Sequence, residues 1–348
     1  MDTIEIRLNL TKKSYISCDY DEVEQLRSSL NSLKSIYGYT YCNVLERTTE
    51  GNLIVKISYP RFFKGNNAFL ISSRGQCFKV QKAFAEYIYQ NWGDVVENIL
   101  LTRVDIPFTY YMPENMDFNS YCQIYKIFAY TYIEKKKKAR SKKYVDMITE
   151  EVETVVYSDT GRTSKDYNNR LMIYNQYENL RSKLGEENIE EIVYENPDLL
   201  RRMRLEVSKR IRREKAFSIG EFASFDIFGH YFLEYKNYIL ENVINMEIID
   251  KLYQEWANEL TKILIKERAK GNFEYEKFIL QNLSSIYDYE ILRRALGICI
   301  DNNKTREGAV TKVRKILNSI QGERKIIILD VYAEILKLRN DLLNYEIR

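Results

Sequence analysis

Segments in which apolar and polar residues alternate are confined to the first 215 residues of this 348-residue chain. Residues 2–10, for example, place Ile4, Ile6 and Leu8 on one side, as in a strand with one buried face. Helical patterns separate these segments, and residues 217–348 show only helical patterns. The order β-α-ββ-α-β-α-ββ-β predicts an α+β fold: a largely antiparallel sheet with helices on one face, followed by an all-α region.

Length and composition favour two folded domains. A chain of 348 residues is long for one hydrophobic core, and 4 Pro and 13 Gly leave little room for disordered linkers. We expect one domain at residues 1–215 and a helical domain at 216–348. His230 lies at the start of the helical region and is interpreted as a packing or hydrogen-bonded histidine.

Several classes of site are disfavoured by residue counts. The five cysteines form no CxxC pair, which argues against a zinc ribbon, and a single histidine excludes mechanisms that need two.

The N-terminus does not resemble a signal peptide, and no uncharged apolar run is as long as a membrane span. We therefore expect a cytoplasmic protein with reduced thiols and no membrane partner. Because the net charge is only +3, nucleic-acid binding would require local basic patches.

Three predicted strands carry polar residues that could form one site. In residues 169–177, Leu171 and Ile173 share a face, and Tyr174 lies on the opposite, polar face with Arg170 and Met172. Two other segments each place an arginine and a carboxylate two residues apart on the polar face: Arg103 with Asp105, and Arg204 with Glu206. If these strands are neighbours, the side chains emerge together on the open face of the sheet.

Such a set suits phosphodiester chemistry. Two carboxylates, Asp105 and Glu206, are ligands for Mg²⁺ or Mn²⁺, and Arg103 and Arg204 could clamp a phosphate. Tyr174 would attack phosphorus as a covalent nucleophile. The alternative is structural: a tyrosine that simply favours a strand, and Arg–carboxylate pairs between neighbouring strands.

Two basic stretches are candidate DNA contacts. Residues 58–67 combine Pro, Gly and Asn with aromatic and basic residues, so they are either an ordinary loop or one that stacks bases and holds phosphates. Residues 135–143 hold seven cations, either at a solvated helix end or against a DNA backbone. The predicted contacts are Lys56, Arg61, Lys64, Asn66, Lys135, Lys136, Lys137 and Lys138.

Taken in order, these segments resemble the replication-initiator endonucleases of filamentous phages (the gene II protein type) and the replication initiators of rolling-circle plasmids. The resemblance covers roughly residues 50–215. It is carried by residues 55–60 (VKISYP), 64–67 (KGNN), 102–105 (TRVD), 171–174 (LMIY), 196–200 (NPDLL) and 204–206 (RLE).

The resemblance implies a Rep nuclease-like fold and a metal-dependent, site-specific nick in single-stranded or supercoiled origin DNA inside a bacterial host. It further implies a 5′-phosphotyrosine intermediate, strand transfer that closes the displaced strand, and a host helicase as partner. Tyr174 matches the family's nucleophile, and Tyr177 would be a second one. Residues 1–215 would then be the catalytic and DNA-binding domain.

The chain departs from the family at the nucleophile. Relatives often carry Tyr-Xaa-Lys where this chain has Tyr174-Asn175-Gln176, so Lys165 or Lys56 would have to replace the missing lysine. The alternative function is a non-enzymatic origin- or operator-binding protein that retains the fold. A structural or interaction protein is a third hypothesis, which leaves the lysine-rich run unexplained.

Overall fold

The computed structural model describes residues 1–11, 20–48, 51–136, 139–145, 149–159, 167–211, 215–283, 286, 288–324 and 330–346. The chain forms two compact units. A sheet unit contains Met1–Phe118, Lys136–Ile239 and Asn344–Arg348, and a helical unit contains Asn119–Lys135 and Leu240–Leu343. The structural units are therefore discontinuous along the chain, whereas the functional division at residue 215 stays a prediction.

The described part of the sheet unit has nine strands, paired antiparallel throughout. Their spatial order is β2-β3-β1-β4-β8-β7-β6-β5, with β9 also paired to β4. The bounds are β1 Thr3–Leu10, β2 Cys42–Arg47, β3 Leu53–Ser58, β4 Val96–Tyr111, β5 Ala139–Val145, β6 Val152–Asp159, β7 Asn169–Asn175, β8 Arg202–Arg210 and β9 Ala216–Phe217. The predicted α+β class with an antiparallel sheet is confirmed.

The α-helices, again for the described residues, alternate with these strands and then follow one another. They are α1 Tyr20–Asn31, α2 Tyr59–Lys64, α3 Arg74–Trp92, α4 Cys122–Lys135, α5 Gln176–Leu184, α6 Glu186–Glu195, α7 Ile219–Ser224, α8 Ile227–Asn242, α9 Met246–Arg268, α10 Tyr275–Gln281, α11 Tyr289–Cys299, α12 Asn303–Arg324 and α13 Val331–Leu343. No helix within the described ranges is long and apolar enough to cross a membrane.

One face of the sheet is the main apolar core of its unit. Ile4 and Ile6 on β1 are fully buried, and so are Leu171 and Ile173 on β7. Helix α8 packs on this face: Phe232 contacts Phe108, and the Tyr235 hydroxyl donates to the carbonyl of Val104. The opposite face carries the polar residues that alternate with this set, so the strand parity predicted from the sequence holds where the site lies.

Two local predictions are wrong. Residues 58–67 are not an open loop, because Tyr59–Lys64 forms α2 with Tyr59 and Phe62 buried, which withdraws these rings from base stacking. The prediction that the lysine-rich run is a helix end or loop is also wrong for part of the run. Its second half is β5, the exposed outermost strand of the sheet.

The helical unit has its own buried polar centre at Asp288. The Asp288 carboxylate accepts hydrogen bonds from the Tyr253 hydroxyl at 2.5 Å and from the Tyr332 amide at 2.9 Å. These bonds satisfy a carboxylate that is fully buried, and they tie the segment before α11 to α9 and α13.

Candidate active site

The structure brings the three predicted strands together. Strand β8 lies between β4 and β7, and its register sets Ser208 opposite both Asp105 and Arg170. In the same way Arg204 lies opposite Tyr174. Because directly opposed residues of an antiparallel sheet share a face, these side chains all emerge on the polar face.

A cavity of about 350 Å³ opens on that face. Its walls include Tyr174, Asp105 and Glu206, which the sequence predicted, and Lys56 from β3. Helix α5 follows β7 directly and contributes Gln176, Asn179, Leu180 and Lys183 to one wall. The helix begins there because the Asn175 side chain accepts from the Tyr177 amide as an N-cap.

Tyr174 and Glu206 form the central contact. The Tyr174 hydroxyl donates to a Glu206 carboxylate oxygen at 2.9 Å. Burial, reinforced by the Glu206 charge, raises the pKa of Tyr174 well above 10. Burial, together with the charges of Asp2 and Asp105, raises the pKa of Glu206 from 4.5 to about 7. The phenol is therefore protonated at neutral pH, and Glu206 is placed to take its proton.

Asp105 is held by other side chains. Arg103 donates to both of its carboxylate oxygens, at 2.9 and 2.5 Å, and the Ser208 hydroxyl donates to one of them. Arg103 also pairs with Glu5 on β1. Burial would lower the pKa of Arg103, but the hydrogen bonds and charge of Asp105 raise it instead. The predicted ligand and the predicted clamp thus neutralise each other.

Arg204 is not placed to clamp a phosphate. Its residue is 1% exposed, and its guanidinium lies 3.5 Å from the Asp2 carboxylate and 3.3 Å from the Asn67 carbonyl oxygen. The clamp role predicted for Arg204 is therefore corrected: the residue lies beneath the cavity wall and offsets the buried carboxylates of Asp2 and Glu206.

Asp2 was missed in the sequence. Its amide donates to the carbonyl of Asp105, which extends the β1–β4 pairing by one residue and brings its side chain to the cavity. The Asp2 Oδ1 atom is buried and has no hydrogen-bond partner. Nothing in the local sequence pattern distinguishes this residue from other polar residues near a strand end.

The carboxylates do not form a ready metal site. Asp2, Asp105 and Glu206 supply the oxygen donors that Mg²⁺ and Mn²⁺ prefer. Yet among the described residues no group of three or more His, Cys, Asp or Glu side chains is arranged to hold a metal ion. The assignment of Asp105 and Glu206 as metal ligands stays a prediction.

Two further cations face the cavity and were not singled out from the sequence. The Arg170 guanidinium lies 4.3 Å from the Tyr167 ring centre, and its Nε has no hydrogen-bond partner. Lys183, at the cavity rim, donates to the Asn179 side chain at 2.6 Å. Burial lowers the pKa of Lys183; Glu206 opposes this shift, and Lys56 adds to it. Helical spacing on α5 was the signal that could have placed Lys183 near Tyr174.

The remaining predicted residues near α2 and α5 lie apart from the chemistry. Tyr177 packs beside a small apolar cluster and does not line the cavity. Arg61 is exposed, Lys64 pairs with Glu195 at 3.3 Å, and the Asn66 side chain closes a turn onto the amide of residue 68.

In the first part of the lysine-rich run, the structure describes Lys135 and Lys136. Lys135 ends α4 and belongs to the helical unit. The Lys136 ammonium lies 5.5 Å from the ring centre of Tyr238. Lys137 and Lys138 are outside the described residues, as is Lys165.

Comparison with known proteins finds one weak structural similarity and no sequence match. No family model matches the chain, and no curated protein matches it. Among solved structures, the chain is similar to a rolling-circle replication initiator protein from Geobacillus stearothermophilus, at 12% identity and a TM-score of 0.28. The match covers 61% of this chain and 74% of that one. A likeness this slight does not identify the activity of the chain.

Proposed function

We propose that this protein is a rolling-circle replication initiator that nicks single-stranded origin DNA and rejoins it through a 5′-phosphotyrosine intermediate at Tyr174. The observation that supports this most is the Tyr174–Glu206 hydrogen bond at 2.9 Å inside an open, polar cavity. A tyrosine with a strongly raised pKa needs a base to become a nucleophile, and Glu206 is in contact with it.

The reaction balances with these groups. Tyr174 Oη attacks phosphorus as its proton passes to Glu206, and the bond from phosphorus to the 3′ oxygen breaks. Lys183 is the candidate donor of the proton that the departing 3′ oxygen needs, since its pKa is lowered. In rejoining, a 3′ hydroxyl attacks the phosphotyrosine, and the two proton transfers are reversed.

Three cations supply the charge that a phosphate requires. Lys56, Arg170 and Lys183 all line the cavity, and within the described residues none of them forms an ion pair at 4 Å or less. Arg103 and Arg204 instead hold Asp105 and Asp2 in place. Phosphate binding would thus depend on the first three residues, and the predicted arginine pair would position the carboxylates.

A divalent cation is part of the proposal. When bound, Mg²⁺ or Mn²⁺ would polarise the scissile phosphate. Asp2 and Glu206 are the carboxylates best able to hold it, because Arg103 donates to both oxygens of Asp105 at 2.9 and 2.5 Å, whereas Arg204 lies 3.5 Å from Asp2.

The decisive experiment is a covalent-adduct assay. The protein is incubated with candidate origin single strands and Mn²⁺, and labelled DNA that migrates with protein is sought on a denaturing gel. Tyr174→Phe should bind DNA and form no adduct. Tyr177→Phe is the matched control and should form the adduct normally, because its ring lies outside the cavity. An adduct that survives Tyr174→Phe but not Tyr177→Phe would reverse the assignment.

The second candidate is a non-enzymatic origin- or operator-binding protein. The observation that favours it is the closed Arg103–Asp105 pair, which leaves one expected metal ligand engaged. This function predicts salt-dependent DNA binding with no adduct from any variant or metal.

A further inference from the structure

The outermost strand of the sheet presents cations on the same face as the cavity. On β5, Arg140 lies opposite Ser158 of β6, and Lys142 lies opposite Val156. Strand β6 continues this register into β7, where Ser158 faces Arg170 and Val156 faces Met172. Because opposed residues share a face, Arg140 and Lys142 lie on the side of the sheet that carries Arg170 and Tyr174.

Tyr144 completes this surface. It lies opposite Thr154, which in turn lies opposite Tyr174. The residue is 49% exposed, so it is accessible to a ligand. Strands are spaced by about 4.8 Å, which puts β5 about 10 Å from the strand that carries Tyr174.

Within the described residues no acidic side chain forms an ion pair with the cations of this surface. Arg140 and Lys142 are both exposed. The cross-strand neighbours between them and the cavity are Ser158, Val156 and Thr154, which are uncharged. Positive charge on an edge strand also guards against strand pairing, but that role does not require the cations to share the face of the cavity.

We infer that Arg140, Lys142 and Tyr144 form a track for single-stranded DNA beside the cavity, holding nucleotides next to the cleaved phosphate. Two cations would contact backbone phosphates, and Tyr144 would stack on a base, the combination that binds single strands with little sequence preference. This inference rests on the proposed function, which places the cleaved phosphate at Tyr174. The main contact to the flanking DNA would then be this face of β5, and not residues 135–138 as the sequence predicted.

Lys142 and Lys143 provide a matched test, because they are neighbours on one exposed strand and point to opposite faces. Binding of a labelled oligonucleotide is measured against salt in the full chain carrying Tyr174→Phe, so that no adduct forms. Lys142→Ala should weaken binding and reduce the slope of log K against log salt by about 0.7, the value for one single-strand phosphate contact. Lys143→Ala should leave both unchanged. Equal effects of the two substitutions, or none, would overturn the inference.

Tyr144 is tested in the same assay. Tyr144→Ala should reduce affinity by about fivefold or more, as loss of one stacked base does, without changing the salt slope. Tyr194→Ala, at a tyrosine 90% exposed on α6, is the control and should have no effect. Adduct formation by the unsubstituted protein is scored separately. If the unsubstituted protein forms an adduct but Lys142→Ala and Lys143→Ala change DNA affinity equally, only the track is refuted. If only Lys142→Ala weakens DNA binding and no adduct forms, only the nicking activity is refuted.

Discussion

At the scale of single residues, Glu206 governs how the cavity responds to pH. Its pKa is raised from 4.5 to about 7, mainly by burial, so at pH 6 most of the population is protonated and cannot accept a proton from Tyr174. We expect the rate of adduct formation to rise as the pH increases through about 7. Glu206→Gln should lower the rate and remove this dependence, which single-turnover kinetics between pH 5.5 and 8.5 would reveal.

Stability should run in the opposite direction. A carboxyl group with a raised folded-state pKa favours the protonated form, so its stabilising contribution is complete below about pH 4.5 and is lost as the pH rises through about 7. The same window therefore activates Glu206 and destabilises the fold. For the reaction itself, a rate of adduct formation that is independent of pH in the unsubstituted protein would contradict the role of Glu206 as base.

Asp105 also behaves differently from a surface carboxylate. Its side chain is 2% exposed and pairs with Arg103. Asp105→Ala should lower the free energy of unfolding by about 3 kcal/mol, because it leaves a partly buried guanidinium without its main partner. Denaturant unfolding measures this. Glu97→Ala, at an exposed position on the same strand, should change stability by less than about 0.5 kcal/mol, and similar values for both would contradict the argument.

At the scale of elements, predictability followed burial. Strands β1, β4, β7 and β8 were predicted at the right places, because each has one apolar face that makes the alternation visible. Strand β5 was missed because it has no buried face. A strand whose residues are nearly all exposed carries no alternation, and its lysines then resemble those of a helix end or loop.

Helix α2 was missed for a different reason. Pro60 and Gly65 were interpreted as turn residues, whereas Pro60 lies in the first turn of the helix and Gly65 ends it in the left-handed conformation. Both residues serve short helices and loops equally well. Burial of Tyr59 and Phe62, which decides between the two, depends on contacts that are distant in sequence, such as Phe62 with Tyr41.

Gly65 offers a test of that helix end. Its φ is +71°, and a Cβ would lie 2.7 Å from Cδ1 of Tyr39, so Gly65→Ala should cost about 1–2 kcal/mol. Gly75→Ala is the control, because it lies in the first turn of α3 with no atom within 4 Å of the added Cβ, and helix propensity makes it neutral or stabilising. In thermal melts Gly65→Ala should lower the melting temperature and Gly75→Ala should not, and a Gly65→Ala variant as stable as the parent would rule this out.

The site was predictable to the same extent as its strands. Tyr174, Asp105 and Glu206 could be placed on one face by parity alone, since β4, β8 and β7 are neighbours. Strand parity could not place Asp2 or Lys183 at the cavity. Asp2 is brought there by a backbone pairing at the end of β1, and Lys183 by the direction of α5. Parity also could not show that Arg103 and Arg204 are engaged by carboxylates.

At the scale of the whole molecule, the chain passes between its two units four times: after residues 118, 135, 239 and 343. The segment Asn344–Arg348 belongs to the sheet unit, where the Tyr345 ring lies 5.5 Å from that of Phe108. No single cut along the sequence separates the two units from each other.

That arrangement sets the order of events during synthesis. Domains usually fold as they leave the ribosome, the first one before the next has been made. Here the sheet unit contains the earliest segment and also Tyr345, so its apolar face cannot be completed until residue 345 has emerged. Strand β4, which carries Phe108 and Asp105, must therefore wait, with part of its core face uncovered, while the helical unit is translated. A nascent chain stalled before Tyr345 would display that face to chaperones, and the strand that carries Asp105 would be among the last parts of the protein to mature.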